Sequence, residues 1–234
     1  MTTKEGIVKY SLDYVKGAAI DARVIRPLNA WRHILYMVNL IGQDPQRYGG
    51  AGFGNVSVRL EVPIKDTQPR FAISGTQTGG TPDLTVQQYA IVTETWPNEN
   101  RVVATGPITP SSESLTHGIL YQLDTSVRAI FHAHSPAIWS HSRQLEIPST
   151  GSDAAYGTPE MADEVRRLMQ SYAAHERRIL CMGGHTDGVI TMGRTVDEAG
   201  CVMMTVLAKA LALKSTVGLC LQSRVMLEGR DGNA

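Results

Sequence analysis

Apolar positions along the chain recur with two different periods. Over 27–43, Trp31, Leu35, Val38 and Ile41 fall three or four residues apart, which predicts an amphipathic helix opened by Pro27 and stopped by Gly42. Over 55–62 the alternation of Val56, Val58, Leu60 and Val62 with polar neighbours predicts a half-buried strand, entered from the glycine-dense turn at 48–54. Segments 70–74 and 101–105 read as further strands, and Thr85 is placed to cap a short helix through Glu94. A helix is expected over 112–123, returning as a strand over 127–134. Thr158-Pro159-Glu160 supplies the cap, proline and first-turn acid of a helix whose buried stripe is Met161, Val165, Leu168, Met169 and Tyr172. Short strands over 178–182 and 188–192 follow, and the Thr195-x-x-Glu198 capping box starts a helix reaching about Leu213. Strands and helices interleave without repeats, low-complexity tracts or a linker, so the expectation is one α/β domain over 1–234.

Composition narrows this picture. Hydrophobic residues make up 42% and charged residues 19% of the chain, which suits a packed core rather than disorder. Lys+Arg and Asp+Glu balance at 22 each, so no net charge draws the molecule to nucleic acid or to an anionic membrane. Cys181, Cys201 and Cys220 form no Cys-x-x-Cys pair, which argues against a structural zinc knuckle and suits reduced thiols. The first residues carry no apolar run resembling a signal peptide, and the apolar region 199–221 is interrupted by Lys209 and Lys214. The expected location is the cytoplasm.

The chemistry concentrates in a few residues. His132 and His134 are two apart on a predicted strand, so both imidazoles leave the same face, with Ile130 making that face partly buried. Two convergent imidazoles and a third from elsewhere make the three-ligand site of a catalytic zinc, with a position left for substrate. His185, in the turn Gly183-Gly184-His185-Thr186-Asp187-Gly188, completes that count, and His141 is the fallback. His33 and His175 are expected on solvated helix surfaces. In Pro110-Ser111-Ser112-Glu113 the acid comes too early for a capping box, which frees Glu113 for proton transfer. The donor-rich segments 48–55 and 74–80, joined to Ser111 and Ser112 at a helix start, supply an anion cradle. Neither segment matches a P-loop or a dinucleotide fingerprint.

Five segments in order, Gly54-Asn55-Val56-Ser57-Val58-Arg59, Thr78-Gly79, Pro110-Ser111-Ser112-Glu113, His132-Ala133-His134-Ser135 and His185 with Asp187-Gly188-Val189-Ile190, resemble the class II aldolase/adducin head family. That resemblance implies a three-layer α/β/α sandwich around a central mixed, mostly antiparallel sheet, and a homotetramer. It implies zinc (or manganese or cobalt) on His132, His134 and His185, and Glu113 as acid/base. A phosphate or carboxylate pocket from Asn55, Thr78, Gly79, Ser111 and Ser112 is also implied. The reaction implied is aldol cleavage, condensation or decarboxylation of a small hydroxy-carbonyl or carboxylate substrate through an enediolate. A sugar-phosphate epimerase or dehydratase is the alternative within enzymes, and an adducin-like assembly module the alternative outside them. The chain departs from the pattern in three places. Two extra residues separate His185 from its glycine, Asp153 stands where sugar-phosphate aldolases place a tyrosine proton donor, and no tyrosine follows Tyr172. Asp153 is accordingly a second candidate catalytic residue.

Overall fold

A computed structural model describes residues 6–61 and 68–228 of the chain. The first half contains β1 (Ser11–Lys16), α1 (Ala22–Met37), β2 (Gly42–Gln43), β3 (Gly52–Phe53), β4 (Asn55–Arg59), β5 (Phe71–Ser74), β6 (Tyr89–Trp96) and β7 (Arg101–Gly106). The second half contains α2 (Ser114–Leu123), β8 (Ala129–His134), α3 (Pro136–Ser140), α4 (Pro159–Met169), α5 (Tyr172–Arg177), β9 (Ile179–Cys181), β10 (Gly188–Gly193) and α6 (Val196–Glu228).

Among the described residues, eight strands form one sheet in the order β1-β7-β6-β5-β4-β8-β10-β9, and β2 pairs with β3 apart from it. Only β1 and β7 run parallel; the other neighbours are antiparallel. Strand alternation splits the core in two. On one face Phe71, Ile73, Ile130, Ile190 and Met192 pack with Leu115, Ile119, Met161 and Val165 of α2 and α4. On the other, Ala72, Phe131, Ala133 and Val189 pack with Leu28 and Leu35 of α1 and with Met203 of α6. The expected three-layer α/β/α sandwich around a mixed, mostly antiparallel sheet is therefore present. No helix among the described residues is long and apolar enough to cross a membrane.

Four expectations for the elements need correction. Helix α1 starts at the Asp21 cap, whose carboxylate accepts from Arg23 N at 2.8 Å, so Pro27 lies inside the helix and not at its start. Left-handed Asn39 follows its end, while Gly42 belongs to β2. Thr85 does cap a turn, but that turn covers only Val86–Gln88 before β6 begins. The sequence Tyr89-Ala90-Ile91-Val92-Thr93-Glu94-Thr95-Trp96 is aromatic and β-branched, and it is laid between β5 and β7 as a strand. The helix begun at Thr195 continues past Leu213 to Glu228. Of the strand expected over 55–62, β4 realises 55–59, and Val62 lies outside the described residues.

Candidate metal centre and active site

Strand β8 carries His132 and His134 on the face that looks towards α2 and α4. Register places Asn55 of β4 beside His132 on one side and Ile190 of β10 on the other. Both imidazoles are completely buried, and their Nε2 atoms stand 3.2 Å apart. His185 reaches them from the β9–β10 turn. That turn folds tightly, with Met182 O accepting from His185 N at 3.1 Å and His185 O accepting from Gly188 N at 2.8 Å. It lies hard against segment 150–155: a Cβ on Gly184 would sit 2.1 Å from Ala154 O, a distance only glycine permits.

One nitrogen from each of the three histidines falls within 4.8 Å of the others. Nitrogens bound about 2.0–2.1 Å from one tetrahedral ion lie roughly 3.3 Å apart, so the His132–His134 spacing fits zinc or a similar divalent ion. Burial holds His132 and His134 well below the ordinary imidazole pKa, and the neighbouring imidazoles push in the same direction. Both are neutral at neutral pH, the form that binds a metal. His33 pairs with Asp83, His175 with Asp124, and His141 Nδ1 lies 2.9 Å from Ala137 O. None of these joins the cluster.

Glu113 is the N-cap residue of α2, yet its side chain makes no capping hydrogen bond. Just before it, Ser111 Oγ accepts from Glu113 N at 3.3 Å. Fully buried, the Glu113 carboxylate points inward, with Oε1 3.4 Å from His185 Nδ1. Asn55, Thr78, Gly79, Ser111 and Ser112 line one small cavity together with Gly75 and Thr76. Asn55 Oδ1 is buried in the chain without a hydrogen-bond partner among the described residues, as expected of an atom kept for a ligand. Arg32 of α1, 1% exposed, holds the segment that carries Thr78 by donating to Thr78 O at 2.8 Å and to Thr81 O at 2.7 Å.

Asp153 is not brought to the cluster; it is exposed on its loop. Three residues on, Tyr156 is 2% exposed and stacks on His185 with ring centroids 4.5 Å apart. Sequence reasoning missed Tyr156, because only the packing of its loop against Gly184 shows which side chain turns inward. It also missed His117, one helical turn beyond Glu113 and completely buried, with Nδ1 2.7 Å from Ser57 Oγ. A third omission is Tyr48, whose ring meets His134 edge-on at 4.5 Å.

This geometry has counterparts among known proteins. Residues 44–213 match the family described as Class II Aldolase and Adducin N-terminal domain. The chain belongs to that family. Its fold is shared with L-fuculose-1-phosphate aldolase from Thermus thermophilus (TM-score 0.57, 22% identity, 92% of this chain and 100% of that one). A sugar-phosphate aldolase from Thermotoga maritima is similar as well (TM-score 0.58, 15% identity, 84% and 96%). So is L-fuculose 1-phosphate aldolase from Glaciozyma antarctica (TM-score 0.55, 18% identity, 82% and 72%). Among curated proteins no sequence matches the chain. The family match supports an aldolase-type lyase, and the three histidines could hold a metal ion.

Proposed function

We propose that this class II aldolase holds one divalent cation, zinc, on His132, His134 and His185, and uses Glu113 as its acid/base. The reaction is cleavage or formation of a carbon–carbon bond beside a carbonyl, by aldol chemistry or decarboxylation, in a small hydroxy-carbonyl or carboxylate substrate. One observation carries the reading: a fully buried carboxylate with no capping duty stands 3.4 Å from an imidazole of a three-histidine cluster. A bound cation would supply the Lewis acid for the substrate's carbonyl and hydroxyl oxygens. Glu113 takes the proton from the reacting hydroxyl or carbon and returns it, shielded from bulk water by its burial. Asn55, Thr78, Gly79, Ser111 and Ser112 hold the anionic end of the substrate, phosphate or carboxylate, with hydroxyl, amide and backbone donors. Manganese and cobalt suit the same donors, and availability decides among them. We place the enzyme as a homotetramer in a reducing cytoplasm, the latter supported by cysteines without paired spacing.

An epimerase would use the same histidines but draws its support from an acid at Asp153, and that residue's exposure favours the lyase. An assembly module without catalysis predicts no bound metal. Elemental analysis of the wild type, His132→Ala and Glu113→Gln separates these readings. The expected result is about one ion per chain in the wild type and in Glu113→Gln, and little in His132→Ala. Turnover of an aldol substrate should fall about 10²–10⁴-fold in Glu113→Gln, the usual worth of a positioned acid/base. Full activity in that variant overturns the role of Glu113. A metal-free wild type, even after reconstitution, overturns the enzyme reading.

A further inference from the structure

We propose that Tyr48 and Asp187 form a clamp that sets the affinity of the histidine cluster for its cation, an inference that rests on the metal reading above. Tyr48 precedes β3 and Asp187 follows His185 by two residues, so the chain separates them by 139 positions. Tyr48 Oη nevertheless donates to Asp187 Oδ2 at 2.6 Å and accepts from Arg47 Nη2 at 2.7 Å. Such a charge-assisted bond is among the stronger kinds a neutral hydroxyl can make. Each partner also touches a ligand-bearing segment. The Tyr48 ring lies edge-on to His134, and Asp187 O accepts from Ser135 N at 2.8 Å, immediately after His134. The backbone bond ties the end of β8 to the turn that presents His185, and the Tyr48–Asp187 bond seats the ring that packs on His134 against that same turn.

The backbone supports this reading. Tyr48 has φ 51° and Asp187 φ 64°, the left-handed region that side chains rarely enter and that a bulky tyrosine enters least. Glycines flank both positions in sequence at Gly49, Gly50, Gly184 and Gly188, yet the two left-handed residues that bond each other are not glycine. Glycine would relax either turn and delete a clamp side chain. Strain held at Tyr48, which that bond joins to a distant residue, points to a functional constraint on the bond. The constraint fits metal binding, because groups that orient ligating imidazoles commonly change affinity about 10–100-fold.

The test uses the full-length, metal-free protein, with cobalt(II) affinity measured by chelator competition and the visible cobalt spectrum recorded alongside. Tyr48→Phe keeps the ring against His134 and removes the hydroxyl; Asp187→Asn keeps the shape and removes the charge. Each is expected to weaken cobalt binding by about tenfold or more and to change the spectrum. The double variant should bind no worse than the weaker single, since both substitutions act on the same bond. Asp187→Gly, which also relieves the left-handed backbone, should still bind weakly. Wild-type affinity in Tyr48→Phe and Asp187→Asn, or losses that multiply in the double variant, overturns the clamp. So does a lower melting temperature of the metal-free variants with affinity unchanged, the signature of a merely structural contact. A wild type that takes up no cobalt overturns the metal reading itself and is distinguishable from all of these.

Discussion

His117 shows how a single residue can carry stability without touching the reaction. Its ring is completely buried against Ser57, whose Oγ lies 2.8 Å from Tyr121 Oη. Burial pushes its pKa from 6.5 down to about 3. The folded state therefore prefers the neutral ring, and the contribution is fully present above pH 6.5. As pH falls from 6.5 towards 3, the unfolded chain binds a proton that the folded one refuses. Stability then drops by about 1.4 kcal/mol per pH unit for this one group. Urea denaturation of the metal-free protein at about pH 7 and about pH 5 should show that loss, and His117→Gln, which can still bond Ser57, should show a smaller one. An identical pH dependence in the two proteins refutes the assignment. At this scale the chain was partly legible. His132 and His134 declared themselves by strand spacing, and Glu113 by being out of place for a capping box. Tyr48, Tyr156 and His117 gave no such sign, because each owes its place to a contact with a segment far along the chain.

Among elements, strong local signals survived folding and weak ones yielded to neighbours. The Thr158 cap of α4 formed as expected, Thr158 Oγ1 accepting from Met161 N at 3.4 Å. Thr85 also caps, but the residues after it fill a slot between β5 and β7, and pairing on both sides outweighs one turn of helix. The fit between α2 and this strand is close enough to test. A Cβ on Gly118 would lie 2.4 Å from both Cγ2 and Oγ1 of Thr95. Alanine gains up to about 1 kcal/mol of helix propensity over glycine. Overpacking typically costs about 1–3 kcal/mol, so Gly118→Ala should be net destabilising. A lower urea midpoint with unchanged slope is the expected outcome; a higher midpoint would mean that α2 shifts freely on the sheet.

For the whole molecule, alternation along each strand was enough to foretell an α/β fold, and the family resemblance foretold two helical layers. Strand order was not legible. Nothing local in 11–16 says that it pairs with 101–106, nor that 55–59 lies beside 129–134. Yet that second pairing puts Asn55 next to His132 and so joins the small cavity that Asn55 lines to the histidines. The cluster is thus a property of the complete sheet, assembled from β8, the turn after β9 and the start of α2.

The 139-residue span between Tyr48 and Asp187 has a kinetic consequence. A contact of that sequence separation forms once most of the sheet exists, so the clamp, and with it the final geometry of the histidine cluster it steadies, should form after the rate-limiting step. Interactions made that late leave the folding rate alone and act on the reverse step. Saturating zinc should therefore slow unfolding in denaturant by an order of magnitude or more while refolding proceeds at its metal-free rate. Stopped-flow measurements in both directions check this, and faster refolding with zinc would place the cluster in the folding nucleus. On this account the ion does not guide the chain to its fold; it locks a structure already built, and its removal leaves a molecule that folds as quickly and lasts less long.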